Sequence, residues 1–359
     1  MVSKFPLGGG RVKSHFCEVL VMKIQFDKSY SEIISAENLF AAWQEFAVGK
    51  SKKADVQEFA LRLVDNILLL HEELANFTYV HAEYKAFNIS DPKPRNIHKA
   101  CVRDRVLHHA IYRQLYPFFD RTFIADSFSC RLDKGVHKAI NRFMNFSFKA
   151  SRNNTRTAWV LKMDIKKFFA NIDHTVLLNI LASYVSDKQI SRLMEKVIGS
   201  FSVQPGKGLP LGNLTSQLFC NVYMNELDQL IKHKLKAKYY IRYADDFVLL
   251  SENKELLLDL IAKISVFLEK RLCLSLHPDK IVLKTLVSGV DFLGWVHFPR
   301  HRVLRTITQR RALKKIQEHP TDETLQSYLG LASHGDAFGF KQRILNWHSL
   351  FRQADDPDG

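Results

Sequence analysis

Two aspartates stand side by side, Asp245-Asp246, between the apolar runs Tyr239 to Tyr243 and Phe247 to Leu250. In extended backbone, neighbouring side chains point to opposite faces, so only a tight turn brings both carboxylates to one ion. Adjacent charges between hydrophobic segments are costly to fold around without a cation. A third carboxylate, Asp164, ends another apolar run, Trp159 to Met163. If those strands are neighbours, the three acids offer hard oxygen ligands for two Mg²⁺ ions, with Mn²⁺ a substitute. Two such metals suit in-line phosphoryl transfer. An isolated Asp-Asp pair more often merely caps a turn, so its surroundings decide.

Those surroundings are basic. Lys and Arg number 52 against 37 Asp and Glu in 359 residues, a formal charge of +15 that points to a polyanionic partner. The excess recurs in three places: Lys93 to Arg113, Arg131 to Lys167, and Arg300 to Lys315, the last with seven cations and no acid. One charge run is an ordinary solvated face; three suggest a lined channel. Hydrophobic residues make up 46% and no apolar run reaches the length of a spanning helix, so a globular, non-membrane chain is expected. Five scattered cysteines argue against a disulfide framework and a Cys-rich zinc site, and the opening residues lack a signal peptide's cleavage site. A cytoplasmic protein is expected.

Periodicity predicts helices from Ala36, over Val56 to Phe77, Arg103 to Phe119, Asn213 to Leu235, and around Leu257 to Leu268. Tyr84 to Ile89 and the turn Ser90-Asp91-Pro92-Lys93-Pro94-Arg95 predict a β-hairpin with a basic tip. Three strands of one antiparallel sheet follow from the apolar runs, giving an α+β layer arrangement.

With these residues in place, Tyr243-Ala244-Asp245-Asp246 resembles the Tyr-x-Asp-Asp motif of reverse transcriptases. Asp164-Ile165-Lys166-Lys167-Phe168-Phe169 resembles their first catalytic block. The resemblance implies that Asp164, Asp245, Asp246 and the Ile165 backbone hold metal, that Phe169 is the steric gate against ribose, and that Tyr243 and Ala244 lie beside primer and template. Lys93-Pro94-Arg95, Asp104 to His109 and Ser127 to Arg131 resemble bacterial enzymes related to group II intron proteins, which implies a grip on triphosphate or template by Lys93, Arg95 and Arg131. His277-Pro278-Asp279-Lys280 resembles the segment that supplies a general acid, Lys280, although a plain surface lysine fits the same letters. Leu293-Gly294-Trp295 resembles a primer-grip turn, with a buried strand aromatic as the alternative. Arg305, Arg310 and Arg311 belong to a basic helix that would contact the template-primer backbone.

The segment Gly208 to Gln217 departs from the common pattern. Most reverse transcriptases carry Gln-Gly-x-x-x-Ser-Pro there, whereas this chain has Leu211-Gly212-Asn213-Leu214-Thr215-Ser216-Gln217. That departure resembles the enzymes of diversity-generating retroelements, which implies an error-prone polymerase working with a template RNA, dNTPs, an RNA/DNA hybrid product and a small basic accessory protein. The expected architecture is a right hand: a mobile arm (1–30), fingers (31–155), palm (156–298), thumb (299–350) and tail (351–359). Antiphage defence with a dedicated noncoding RNA is a second role for the same chemistry, and a non-catalytic splicing helper is a third. No Asn-Ala-x-x-His retron motif and no Cys- or His-rich nuclease module is present in the sequence.

Overall fold

The computed structural model describes residues 24–90 and 94–354. In chain order, the first part holds α1 (Tyr30–Ile34), α2 (Ala36–Ala47), α3 (Ala54–Leu61), α4 (Leu63–Ala75), the hairpin β1 (Lys85–Ile89) and β2 (Arg95–Lys99), α5 (Val102–Asp120) and α6 (Val136–Ala150). The middle part holds β3 (Trp159–Asp164), α7 (Phe168–Asn171), α8 (His174–Ala182), α9 (Lys188–Gly199), α10 (Leu214–Gln229), β4 (Tyr239–Tyr243), β5 (Asp246–Ser251), α11 (Lys254–Leu272) and β6 (Val282–Thr285). The last part holds β7 (Val290–Phe292), β8 (Trp295–His297), β9 (Arg302–Leu304), α12 (Thr306–Glu318), α13 (Asp322–Ala332) and α14 (Phe338–Ala354).

The central sheet has the order β4-β5-β3-β6, with every pairing antiparallel. Its strands read as nearly continuous apolar runs because both faces are covered. Leu161, Met163, Phe247, Leu249 and Tyr240 face a large core shared with α2, α5, α10 and α11. Val160, Val248, Leu250 and Ile241 face a second core with Phe143 and Phe146 of α6 and Phe292 of β7. Strand alternation thus sends odd and even residues of one strand into two different cores. The expected boundary at residue 155 is no break in packing, since residues on both sides of it share the larger core.

Local chemistry sets the helix starts. Ser29 and Glu32 form a capping box on α1, Asp173 and Asp187 accept backbone N–H groups at the starts of α8 and α9, and Asn253 does so for α11. The buried Asp104 ties the chain before β1 to α5: its carboxylate accepts from Tyr79 Oη at 3.0 Å, the Ala82 amide at 2.8 Å and Cys101 Sγ at 3.2 Å.

Three expectations change. The single helix over Val56 to Phe77 is two, because Arg62 leaves helical geometry at φ −126° and ψ 43°. Residues 24–30 are not a mobile arm: Phe26 is buried edge-on against Phe118, and its amide donates to the Tyr184 carbonyl at 2.8 Å. The remainder of that arm, residues 1–23, and the hairpin tip, residues 91–93 with Lys93, lie outside the described residues. At the other end α14 continues to Ala354, into the stretch expected to fray, and residues 355–359 lie outside the described residues. No helix among the described residues is long and apolar enough to cross a membrane.

The C-terminal helices close on a third core around Trp295, Leu304, Ala312, Ile316 and Ile344. Gly335 abuts the Trp295 ring, and a Cβ there would lie 2.8 Å from the Arg302 carbonyl oxygen as well as inside the ring's contact distance. Overpacking of this kind costs about 1–3 kcal/mol. Gly335→Ala is expected to lower the urea midpoint of the C-terminal part accordingly, and an unchanged unfolding curve would show that the loop yields freely.

Candidate active site

The register of the central sheet assembles the acids. Asp164 at the end of β3 is the direct Cα partner of Asp246 at the start of β5, and Asp246 is also the partner of Tyr243 at the end of β4. Only Ala244 and Asp245 are left to turn the chain, and Ala244 does so in left-handed geometry at φ 55°. Asp164 and Lys162 fall on the same face of β3, and that face continues through Asp246 on β5. The Asp245 carbonyl accepts the Ile165 amide at 3.2 Å, which pins the turn to the chain just beyond β3.

The carboxylates are poorly solvated. Burial, and then the negative charge of Asp164, raises the pKa of Asp245 above the usual carboxylate range, with Lys280 and Arg95 opposing. Burial pushes Asp246 up to about 6 although Lys162 opposes it. Lys280 donates to Asp164 Oδ1 at 2.8 Å, and Lys162 Nζ sits 3.3 Å from Asp246 Oδ2. Asp246 Oδ1 is buried with no hydrogen-bond partner. Among the described residues no three acidic, imidazole or thiol side chains converge into a ready-made metal cage. The donor set nonetheless fits a hard divalent cation: oxygen ligands only, one of them an orphaned buried atom, with ammonium groups already drawn to two of the acids.

A second wall stands beside these acids. Phe169, half-buried on α7, lies edge-on to Phe168, and its carbonyl accepts the Leu209 amide at 2.8 Å. Two residues on, the Leu211 carbonyl accepts the His98 amide of β2 at 3.1 Å, and Asn213 Nδ2 donates to the His98 carbonyl at 3.3 Å. Gly212, at φ 107°, packs so closely that a Cβ would meet Ile97 Cγ2 at 3.0 Å. The β1–β2 hairpin is thereby fastened to the Leu211–Asn213 loop, and its exposed Arg95 is close enough for its charge to act on Asp245. Gln217 is half-buried in the first turns of α10.

Other sequence candidates lie elsewhere. Arg131 is no free grip for a triphosphate: it donates to Asp120 Oδ1 at 2.6 Å and to the carbonyls of Ile124, Ser127 and Asp120. Its guanidinium is used up in closing its own loop. Trp295 is 1% exposed and fills the C-terminal core, so the buried-aromatic alternative holds for it. Leu293 (φ 50°) and Gly294 (φ 89°) form the two-residue turn between β7 and β8, both left-handed as that turn type demands. Arg305 pairs with Asp291, while Arg310 and Arg311 are exposed on α12.

Sequence reasoning missed Arg242, a fully buried cation in β4. It donates to both oxygens of Asp228, at 2.7 to 3.0 Å, to Asn221 Oδ1 at 3.2 Å and to Ser127 Oγ at 3.0 Å. It also donates to the Ala244 carbonyl at 3.2 Å, inside the aspartate turn. Arg131 fixes the loop carrying Ser127, Ser127 meets Arg242, and Arg242 holds the turn. The signal was legible as one basic residue in an otherwise apolar strand, Tyr239-Tyr240-Ile241-Arg242-Tyr243.

Removing one partner of a buried ion pair strands the other charge, at a cost of about 3–5 kcal/mol. Arg242→Ala is expected to lose that much stability in urea unfolding, and a loss below about 1 kcal/mol would show that Asp228 finds water or another donor.

The chain is similar in sequence to known proteins. Residues 90–297 match the family described as reverse transcriptase (RNA-dependent DNA polymerase). The protein YkfC of Escherichia coli K12 is 24% identical, over 73% of this chain and 77% of its own length. The group II intron-encoded protein LtrA of Lactococcus lactis subsp. cremoris is 26% identical, over 38% of this chain and 22% of its own. A putative COX1/OXI3 intron 2 protein of Saccharomyces cerevisiae is 22% identical, over 54% and 29%. The chain therefore spans less than a third of the length of these two intron proteins. Among solved structures, apo telomerase from Candida Tropicalis, truncated from its C-terminal domain, matches 65% of this chain and 59% of its own at TM-score 0.47 and 13% identity. With the family match covering more than half of the sequence and including all three aspartates, the chain belongs to the reverse transcriptases.

Proposed function

We propose that this chain copies an RNA template into DNA, with β3–β6 and their helices as palm, the elements before them as fingers and α12–α14 as thumb. The observation that carries the reading is the pairing of Asp164 with Asp246 beside the Asp245 turn. Asp164, Asp245, Asp246 and the Ile165 backbone would hold two Mg²⁺ ions, or Mn²⁺ in their place. When bound, the ions lower the pKa of the primer 3′-hydroxyl and neutralise the leaving pyrophosphate. The chain's own part is mainly positioning. The primer 3′-hydroxyl passes its proton to water and its oxygen bonds to the α-phosphorus as the bond from that phosphorus to the bridging oxygen of the β-phosphate breaks. Lys280, already in contact with Asp164, supplies a proton to the departing pyrophosphate. Arg95 adds a guanidinium on the fingers side for nucleotide phosphates. Phe169 screens the sugar edge of the incoming dNTP.

The finer assignment is to an error-prone enzyme of a diversity-generating retroelement, working with its own template RNA and a small basic accessory protein in the cytoplasm. Leu211 supports it. A leucine beside the Phe169 wall offers the nascent pair no hydrogen bond where most of the family has a glutamine, so a mispaired base forfeits less there.

Two experiments test these assignments. Asp245→Ala with Asp246→Ala is expected to abolish Mg²⁺-dependent cDNA synthesis while leaving RNA affinity within about twofold of wild type, and retained synthesis would sink the metal assignment. Sequenced products of Leu211→Gln are expected to carry fewer errors opposite template adenine. An error spectrum identical to wild type would refute the role given to Leu211.

A further inference from the structure

The catalytic aspartates occupy one end of the central sheet, and a second charged feature occupies the other. β4 begins and β5 ends there, and with the ends of α6 and α11 they enclose a cavity of 490 Å³. Its rim carries Lys149, Arg152, Lys236 and Lys238, all exposed. The single carboxylate of the lining, Glu252, is taken up by Arg152 at 2.5 Å. The floor is apolar, formed by leucines of β5 and α11. Tyr239 stands half-exposed at its edge, with Lys238 Nζ 5.4 Å from the ring. Beyond the rim, Trp159 carries Lys254 at 5.0 Å and Phe148 is exposed. β5 separates this basin from Asp246 by about 17 Å at the usual rise per strand residue, so both ends can be occupied together.

The rim is also held in costly backbone. Arg152, Asn153 and Asn154 are left-handed in succession, at φ 48°, 61° and 63°, and Lys236 is left-handed at 54°. Two of the four rim cations therefore sit on non-glycine residues in a conformation that persists only where the surroundings impose it, and such positions concentrate at ligand clamps.

We propose that this basin is a second RNA-binding site, which seats one unpaired nucleotide of a folded RNA. The base lies on the leucine floor against Tyr239, and the flanking phosphates meet Lys149, Lys236 and Lys238. Cations spread around an apolar hollow with an aromatic edge are the combination that holds splayed-out nucleotides. The volume is that of a small-ligand site and suits one nucleotide. An acidic protein surface would use the charges and leave the hollow unused. Naming RNA as the occupant rests on the reverse transcriptase reading; the charge and the cavity do not. Held here, the uncopied, folded part of an RNA raises the local concentration of its template strand at the aspartates.

The test is the intact chain carrying Lys149→Glu, Lys236→Glu and Lys238→Glu, three exposed positions whose replacement leaves the cores untouched. Fluorescence anisotropy compares a stem-loop RNA with a fully paired duplex of the same length across a salt series. The expected result is a loss of tenfold or more in stem-loop affinity, a salt slope shallower by about 2, and little change for the duplex. A 4-thiouridine placed in the loop is expected to crosslink to Tyr239 in the wild type and not in the triple variant. Copying of a primed homopolymer RNA is expected to stay at the wild-type rate. Unchanged stem-loop affinity and slope would overturn the proposal, as would equal losses for stem-loop and duplex, which reduce the patch to diffuse charge. Displacement of the stem-loop by polyglutamate as readily as by unlabelled RNA would assign the basin to an acidic protein instead. Failure of the wild type to copy the homopolymer would count against the polymerase reading, and the binding comparison would still decide the basin.

Discussion

The ion pair of Arg242 with Asp228 is the contact on which the aspartate-bearing end of the sheet depends. Both residues are fully buried, and the guanidinium reaches α10, the segment around Ser127 and the aspartate turn at once. Asp228 also accepts from Tyr240 Oη at 2.7 Å, so its oxygens are well satisfied. Buried pairs of this kind add little net stability compared with hydrophobic packing, since desolvation offsets the attraction. What this one provides is geometry. Residues 126–128 run alongside β4, exchanging backbone hydrogen bonds on both sides of Arg242, and so cover an edge that would otherwise be open. The turn that presents Asp245 and Asp246 is thus fixed from a helix, a loop and a strand together.

Around that turn opposite charges meet in a poorly solvated place. Burial alone would favour neutral carboxyls at Asp245 and Asp246, and the neighbouring acids push the same way. Lys162, Lys280 and Arg95 push back, from β3, from the turn before β6 and from the hairpin. Three elements distant in sequence therefore carry positive charge to one place. Lys280 and Lys162 already pair with Asp164 and Asp246, so a divalent cation bound by the acids would release these ammonium groups toward whatever anion accompanies it.

The sheet and the acids were legible in the sequence because short, nearly continuous apolar runs bounded by Asp read as buried strands with carboxylates at their ends. Tyr239 to Tyr243, Phe247 to Leu250 and Trp159 to Asp164 became strands within a residue of their expected bounds. Arg131 was misjudged because a guanidinium in a basic run looks free until its partners, Asp120 and three carbonyls, are brought round by a loop whose path composition does not encode. Trp295 was ambiguous because a three-residue strand carries too few alternations to tell a buried face from an exposed one. Arg242 was visible but unread, since alternation says which face a residue takes and is silent on whether an acid waits there. The split at Arg62 left no mark in the apolar spacing on either side of it.

Strain shows where these constraints converge. Lys167 and Ala244 are non-glycine residues in left-handed backbone, and each sits at a turn next to an aspartate-bearing strand of the site. Glycine would relieve the cost at either of them, of order 1–2 kcal/mol apiece. At Ala244 the fixed surroundings account for the choice. The Ala244 carbonyl is held by Arg242 and the Asp245 carbonyl by the Ile165 amide, so the folded turn has no freedom to lose. A glycine there would instead widen the unfolded ensemble and loosen the turn whenever either tether opened. Alanine trades a little strain for a turn with one geometry, which is what two adjacent carboxylates require if they are to meet the same pair of ions.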